Sequence, residues 1–172
     1  MVGNSKSPPR ENAFYILWSW VGSFIGITLV AYISNVVLVG TDLVMVIGSF
    51  GASAVLIFGA IKSPLAQPRN LIGGHLISAL IGVAAYQILI DTPSLAAGVA
   101  VATAIAAMHL TKTLHPPGGA TALIAVIGSE KIHDLGYLYV LVPAGTGALI
   151  MLVVALAVNN IPKKHSYPEF WL

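Results

Sequence analysis

The chain has 172 residues, of which 57% are hydrophobic and only 8% charged, and its mean hydropathy is +0.89. A soluble globular domain carries roughly 25% charged residues, so an ordinary water-facing surface cannot be built from this composition. The lack of cysteine excludes a disulfide scaffold, the apolar content excludes a disordered chain, and a net charge of +2 without a basic cluster argues against nucleic acid as a partner. What remains is a polytopic membrane protein: an all-α helix bundle whose first partner is the lipid bilayer.

The charged residues divide the chain into six windows without Asp, Glu, Lys or Arg: 12–41, 43–61, 70–90, 92–111, 113–129 and 135–162. A spanning helix needs about 20 mostly apolar residues. The windows therefore predict crossings at about 14–33, 43–61, 71–90, 95–114, 119–128 and 137–158, inside one transmembrane domain of residues 13–160. Residues 1–12 and 161–172 form polar tails, and residues 1–11 read as neither a cleavable signal nor a transit peptide.

Basic residues prefer the cytoplasmic side. With six crossings and both termini inside, Lys6, Arg10, Lys62, Arg69, Lys112, Lys163 and Lys164 are cytoplasmic, and Lys131 is the exception. The simplest address is a bacterial cytoplasmic (inner) membrane, crossed several times, with both tails cytoplasmic. If windows two and five were re-entrant loops, four crossings would result. Tyr15, Trp18, Trp20 and Tyr32 in the first window are expected at the membrane interfaces, as are Tyr137, Tyr139, Tyr167, Phe170 and Trp171.

The two short windows resemble each other. Gly51-Ala52-Ser53-Ala54-Val55-Leu56-Ile57 reads against Gly119-Ala120-Thr121-Ala122-Leu123-Ile124-Ala125, and Gly73-Gly74-His75 is loosely echoed by Gly145-Thr146-Gly147. Each half is then a long span, a short window and a long span. Three crossings per half is an odd number, so the expected architecture is two inverted three-element repeats with broken half-helices at the midplane, a recurrent transporter plan. Small residues that let helices approach give similar strings in other membrane proteins.

The fifth window opens with His115-Pro116-Pro117-Gly118-Gly119-Ala120-Thr121. Two prolines remove two backbone donors and disfavour helix before them, and the following helix of about two turns, some 12 Å, cannot span a core of roughly 30 Å. Irregular backbone at membrane depth survives only inside protein or against a wet cavity. A half-helix beginning near Gly119 would aim free amides and the Thr121 hydroxyl at the membrane interior, and Gly51, Ala52 and Ser53 would do so from the second window. Two such starts form an anion site without a fixed charge.

Histidines at membrane depth are expensive and default to function. His115, beside the double proline, is a candidate site residue. His75 shares a polar, small-residue stripe with Ser78 and Gly82 that is suited to a pore. His109 lies near a helix end and is better explained by its interfacial position. No metal-ligand spacing, nucleophile motif or phosphate-binding loop is present. The expectation is a protein that is not an enzyme and has neither cofactor nor metal.

The motif His115-Pro116-Pro117-Gly118-Gly119-Ala120-Thr121-Ala122-Leu123 resembles that of the HPP family of integral membrane proteins. Ser63-Pro64-Leu65-Ala66-Gln67-Pro68-Arg69-Asn70 with Gly73-Gly74-His75, and Gly51-Ala52-Ser53-Ala54-Val55-Leu56, are similar to two further family hallmarks. The resemblance covers residues from about 13 to 160. It implies a compact bundle, usually described with four transmembrane segments, and membrane transport, with nitrite as the substrate associated with cyanobacterial and chloroplast-envelope members. On that basis nitrite is expected at the amides of Gly51, Ala52, Gly119 and Ala120 and the hydroxyls of Ser53 and Thr121. His115 would couple protonation to anion movement, and Arg69 and Lys112 at the cytoplasmic mouth would attract anions. The alternatives are a proton or other small-solute pathway through His75 and His115, or a non-transporting membrane subunit. Homo-oligomerisation is compatible with so small a domain.

Overall fold

The computed structural model describes residues 7–37, 46–162 and 166–172. Lys6, Lys163 and Lys164, used above for topology, lie outside the described residues, as do Asp42, which separates the first two windows, and residues 43–45 of the second expected crossing.

The described residues form seven α-helices and no strand. The first, α1 (Ala13–Tyr32), begins at Asn12, whose side chain accepts the Tyr15 N–H at 2.9 Å, and it continues through a widened turn, Ile33–Val37. Proline marks the next long starts: α3 (Pro68–Ile88) and α4 (Pro93–Leu110) both open on one, where its fixed φ suits the helix and its missing N–H is not needed. The short α2 (Ser49–Gly59) precedes α3, and the short α5 (Pro116–Ile127) follows α4. A single turn, α6 (Glu130–Asp134), precedes the last helix, α7 (Thr146–Asn159).

Four stretches are long and apolar enough to cross a membrane: Ala13–Val36, Pro68–Ile88, Pro93–Leu110 and Val140–Asn159. The 11 residues of α2 and 12 of α5 extend only about 16–18 Å at 1.5 Å per residue. Two expectations change in detail. The helix expected to start near Gly119 starts at Pro116, because prolines are tolerated at the first helical positions. The last crossing is broken near its start, where Val142 is extended (φ −133°, ψ 118°) before Pro143, as the ring of a proline requires of its predecessor.

Helices approach through small residues. Along α4 the buried positions are Ala96, Ala100, Ala104 and Met108, one per turn, and along α1 they are Gly22, Gly26 and Val30. A methyl group at Gly22 would lie 2.4 Å from the Phe58 ring of α2, so ring and glycine form a matched contact. With lipid tails as apolar as leucine, such packing replaces the hydrophobic drive between helices. Large apolar side chains such as Leu17, Phe24, Val55, Leu95 and Val153 point outward.

One end of the bundle collects the starts of α1 and α3 with the ends of α2, α4 and α7. Tyr15 Oη donates to the Gly59 carbonyl (3.2 Å), Trp18 Nε1 to that of Val158 (2.9 Å) and Asn70 Nδ2 to that of Leu114 (2.8 Å). Arg10, Lys62, Arg69 and Lys112 flank these helix ends. At the other end the Tyr86 and His133 rings stack with centroids 3.9 Å apart.

The described part of the C-terminal tail folds back onto residues 63–70. Tyr167 is buried and donates its hydroxyl to the Ala66 carbonyl at 2.7 Å, Gln67 Oε1 accepts the Glu169 N–H at 2.8 Å, and the Arg69 guanidinium lies 5.8 Å from the Phe170 ring centre. Tyr167 and Tyr139 are therefore interior residues rather than interfacial anchors, at 3% and 0% exposure.

Candidate functional site

Between α2, α3 and α5 lies a continuous chain of polar side chains with no exposure at all: Ser49, Ser53, His75, His115 and Thr121. Ser49 and Ser53 are one turn apart on α2 and so share a face. His75 projects from the second turn of α3, and His115 is the residue that caps the start of α5.

The geometry is tight. Ser53 Oγ lies 2.8 Å from His75 Nε2 and 2.9 Å from His115 Nε2. His75 Nδ1 lies 2.7 Å from Thr121 Oγ1. The Thr121 hydroxyl also reaches Ser49 Oγ at 2.9 Å and the Pro117 carbonyl at 3.2 Å. At the opposite end of the chain His115 Nδ1 contacts the Leu65 carbonyl at 2.8 Å. The two imidazoles meet edge to face with centroids 5.2 Å apart, and the Phe50 ring lies 5.2 Å from His75. Buried polar groups need partners; Ser53, His75, His115 and Thr121 each have at least two, and Ser49 has Thr121.

Ser53, His75, His115 and Thr121 are thus brought together. The remaining expected residues are distributed otherwise. Gly51 and Ala52 are exposed, a side chain at Gly51 would meet nothing within 4 Å, and the Gly51 N–H already donates to the Gly48 carbonyl at 3.2 Å. Gly119 faces Val101 of α4, and Ala120 is half-buried. Ahead of the expected Gly119 and Ala120 amides, Pro116 and Pro117 have no N–H, and that of Gly118 is bound to the His115 carbonyl at 2.8 Å. Side chains, more than backbone amides, make this site.

The stripe His75, Ser78, Gly82 is a packing face. A Cβ at Gly82 would lie 2.6 Å from the Ala122 carbonyl oxygen, one at Gly118 would lie 2.7 Å from Ser78 Oγ, and one at Gly74 would lie 2.5 Å from His115 Cβ. Ser78 itself points at Met108 Sδ, 3.6 Å away. Arg69 and Lys112 lie at the bundle end, Arg69 half-buried against the tail and Lys112 exposed with φ 57°. A cavity of about 900 Å³ opens at that end between α1 and α2, lined by residues including Asn12, Tyr15, Lys62 and Ser63. It contains none of the expected site residues.

Two participants were not anticipated. Ser49 was legible through its spacing of four from Ser53. Tyr139, whose hydroxyl donates to the Thr121 carbonyl at 3.0 Å, gives no sign in the sequence of facing inward. Among the described residues no group of three or more His, Cys, Asp or Glu is placed to hold a metal ion.

Outward apolar helices around a wholly buried polar chain define a multi-pass membrane protein. The family comparison agrees: the chain matches the family described as "HPP, transmembrane region" over residues 8–168 and belongs to the HPP transmembrane family. It is similar to two proteins of Dictyostelium discoideum, both described as transmembrane proteins. One is 49% identical over 98% of this chain and 55% of the relative, and the other 47% over 99% and 60%. The chain thus spans little more than half the length of these curated relatives. No solved structure matches it.

Proposed function

We propose that this chain moves a small inorganic anion, nitrite, across a membrane. The observation that carries the reading is the fully buried chain Ser49–Thr121–His75–Ser53–His115, wedged between two helices too short to span. Hydroxyl and imidazole groups at such depth are costly to bury, and groups of this kind mark solute or proton paths by default. They are also weak, exchangeable partners for a small planar anion, which permits release as well as binding. Nitrite itself comes from the resemblance to transport-associated members of the family.

The inverted repeat fits this reading. Ser49 lies against Thr121, and Ser53 against His115, so α2 and α5 run antiparallel. The two hydroxyls that match in the repeat, Ser53 and Thr121, meet on the two nitrogens of one imidazole, His75. The end carrying Arg10, Lys62, Arg69 and Lys112 is taken as cytoplasmic.

Purified protein in liposomes loaded with a fluorescent nitrite reporter tests the proposal. Uptake above that of empty liposomes is expected, and its absence would sink the reading. Thr121→Val should weaken uptake while leaving expression intact.

A further inference from the structure

The orientation of His115 sets the order of hydrogens through the whole cluster. A carbonyl oxygen can only accept, so His115 Nδ1, 2.8 Å from Leu65 O, carries a hydrogen. In the neutral ring Nε2 is then an acceptor and takes the Ser53 hydroxyl hydrogen. Ser53 has no second hydrogen, so at the 2.8 Å contact it must accept from His75 Nε2. His75 Nδ1 is in turn an acceptor, filled by the Thr121 hydroxyl, which also lies within donating reach of Ser49 Oγ and the Pro117 carbonyl. The hydrogens of His115 Nδ1, Ser53, His75 Nε2 and Thr121 then all point the same way.

This order has room for one more proton. If His75 Nδ1 gains a hydrogen it donates to Thr121 Oγ1, and the Thr121 hydrogen turns to the Pro117 carbonyl or Ser49 Oγ, both already within reach. Only hydroxyl rotations are needed. The same charge passes to His115 when Ser53 hands its hydrogen to one ring and takes one from the other, since the two Nε2 atoms flank a single oxygen. A second proton would place two cations with ring centres 5.2 Å apart.

Nothing nearby neutralises that single charge. The groups facing the pair are Ser49, Ser53 and Phe50 from α2, Thr121 from α5, the Leu65 carbonyl, and behind Thr121 the Tyr139 phenol. Among the described residues every buried polar side chain other than tyrosine is Ser, Thr, Asn, Gln or His, without a carboxylate. A cation buried here without a counter-charge gives up its proton, so the charged form persists only with an anion beside it.

We propose that His75 and His115 share one proton through Ser53 and use it as the counter-charge for the transported anion, so that proton and anion cross together and no net charge moves. The inference rests on the anion-transport reading and adds the coupling ion and stoichiometry. The balance is simple: a proton and a monovalent anion enter the cluster from one side, and both leave on the other.

The test uses the full chain in liposomes carrying a nitrite reporter and an internal pH dye, with the membrane potential set by potassium and valinomycin. Protein-free liposomes correct for nitrous acid crossing the lipid. The expected result is one proton entering per nitrite, a rate that rises with an inward proton gradient, and no response to potential. Nitrite uptake that follows potential and ignores the proton gradient would overturn this inference while leaving the transport function standing. No uptake at all would sink both. A second readout is independent of flux: ¹⁵N spectra of the histidine rings at neutral pH should show His115 protonated at Nδ1 and His75 at Nε2. Adding nitrite should convert one ring to the doubly protonated form. Spectra unchanged by nitrite, or the reverse tautomers, would overturn the inference.

Discussion

His115 Nδ1 donates to the carbonyl oxygen of Leu65 at 2.8 Å, across fifty positions of sequence. The bond ties the residue that starts α5 to the short turn Pro64–Ala66 ahead of α3. It therefore fixes the ring where Ser53 can reach its other nitrogen. His115→Asn places an amide N–H where Nδ1 stood and should keep this bond while losing Ser53. His115→Ala loses both partners. Leaving a buried group unpaired costs about 1–3 kcal/mol, so in detergent melts the alanine variant should unfold at lower temperature than the asparagine variant. Nitrite uptake should fail in both. Equal melting of the two would mean that the Leu65 contact contributes nothing.

Removing the Ser53 hydroxyl leaves two ring nitrogens facing each other with nothing between. Ser53→Ala should lower stability by about 1–3 kcal/mol and abolish nitrite uptake, measured as thermal unfolding and reporter signal. Uptake at the parent rate would take the hydroxyl out of the path.

Glycine positions give a contrast that needs no assumption about function. A methyl group at Gly82 would press on backbone atoms of Ala122 at 2.6 and 2.8 Å, which cannot turn aside. Gly82→Ala should destabilise by about 1–3 kcal/mol through overpacking. Gly51 has open space around it, and an exposed helical glycine replaced by alanine gains roughly 0.5–1 kcal/mol. Melting temperatures should move in opposite directions.

Burial of Tyr167 against residues 63–70 raises its phenol above the ordinary value, through desolvation. The neutral form is thus favoured in the folded state. The contribution is full below the ordinary phenol pKa of about 10 and is lost as pH rises beyond it, because the unfolded chain then ionises first. Tyr167→Phe should remove that alkaline loss and, at neutral pH, cost about 1 kcal/mol for the bond to Ala66. Melts across the alkaline range would show both.

The native chain lacks cysteine, so single cysteines report topology cleanly. With the basic end cytoplasmic, a cysteine at Lys112 should label only from inside, and cysteines at Asp91 and Lys131 only from outside. Outside labelling at Lys112 would reverse the orientation.

How much was legible follows from what each signal measures. Charge-free windows report the long helices well, since only length and polarity matter there. Pro116-Pro117 marked a short segment, and the structure moves its helix start from near Gly119 to Pro116. The prolines sit inside the first turn and remove the amides a bare helix start would present. Ser53, Thr121, His75 and His115 were each visible as costly groups at depth, but their convergence is tertiary. Tyr139 and Tyr167 looked like interfacial anchors because sequence cannot tell a ring at the membrane surface from one turned inward to a carbonyl. The stripe through Ser78 and Gly82 had the right periodicity for a lined pore or for close helix packing, and only the contact with Ala122 separates the two.

That contact has a mechanical consequence. Between α3 and α5 main chain rests on main chain, at Gly82 against Ala122 and at Gly118 against Gly74, with no side chain between them to bend. The pair is a single stiff plank. In contrast, α2 meets it at the cluster through Ser49, Ser53 and Phe50, side chains that can rotate and re-form their contacts. If the proposed transport requires an opening, this softer seam is where contacts can be exchanged by side-chain rotation alone.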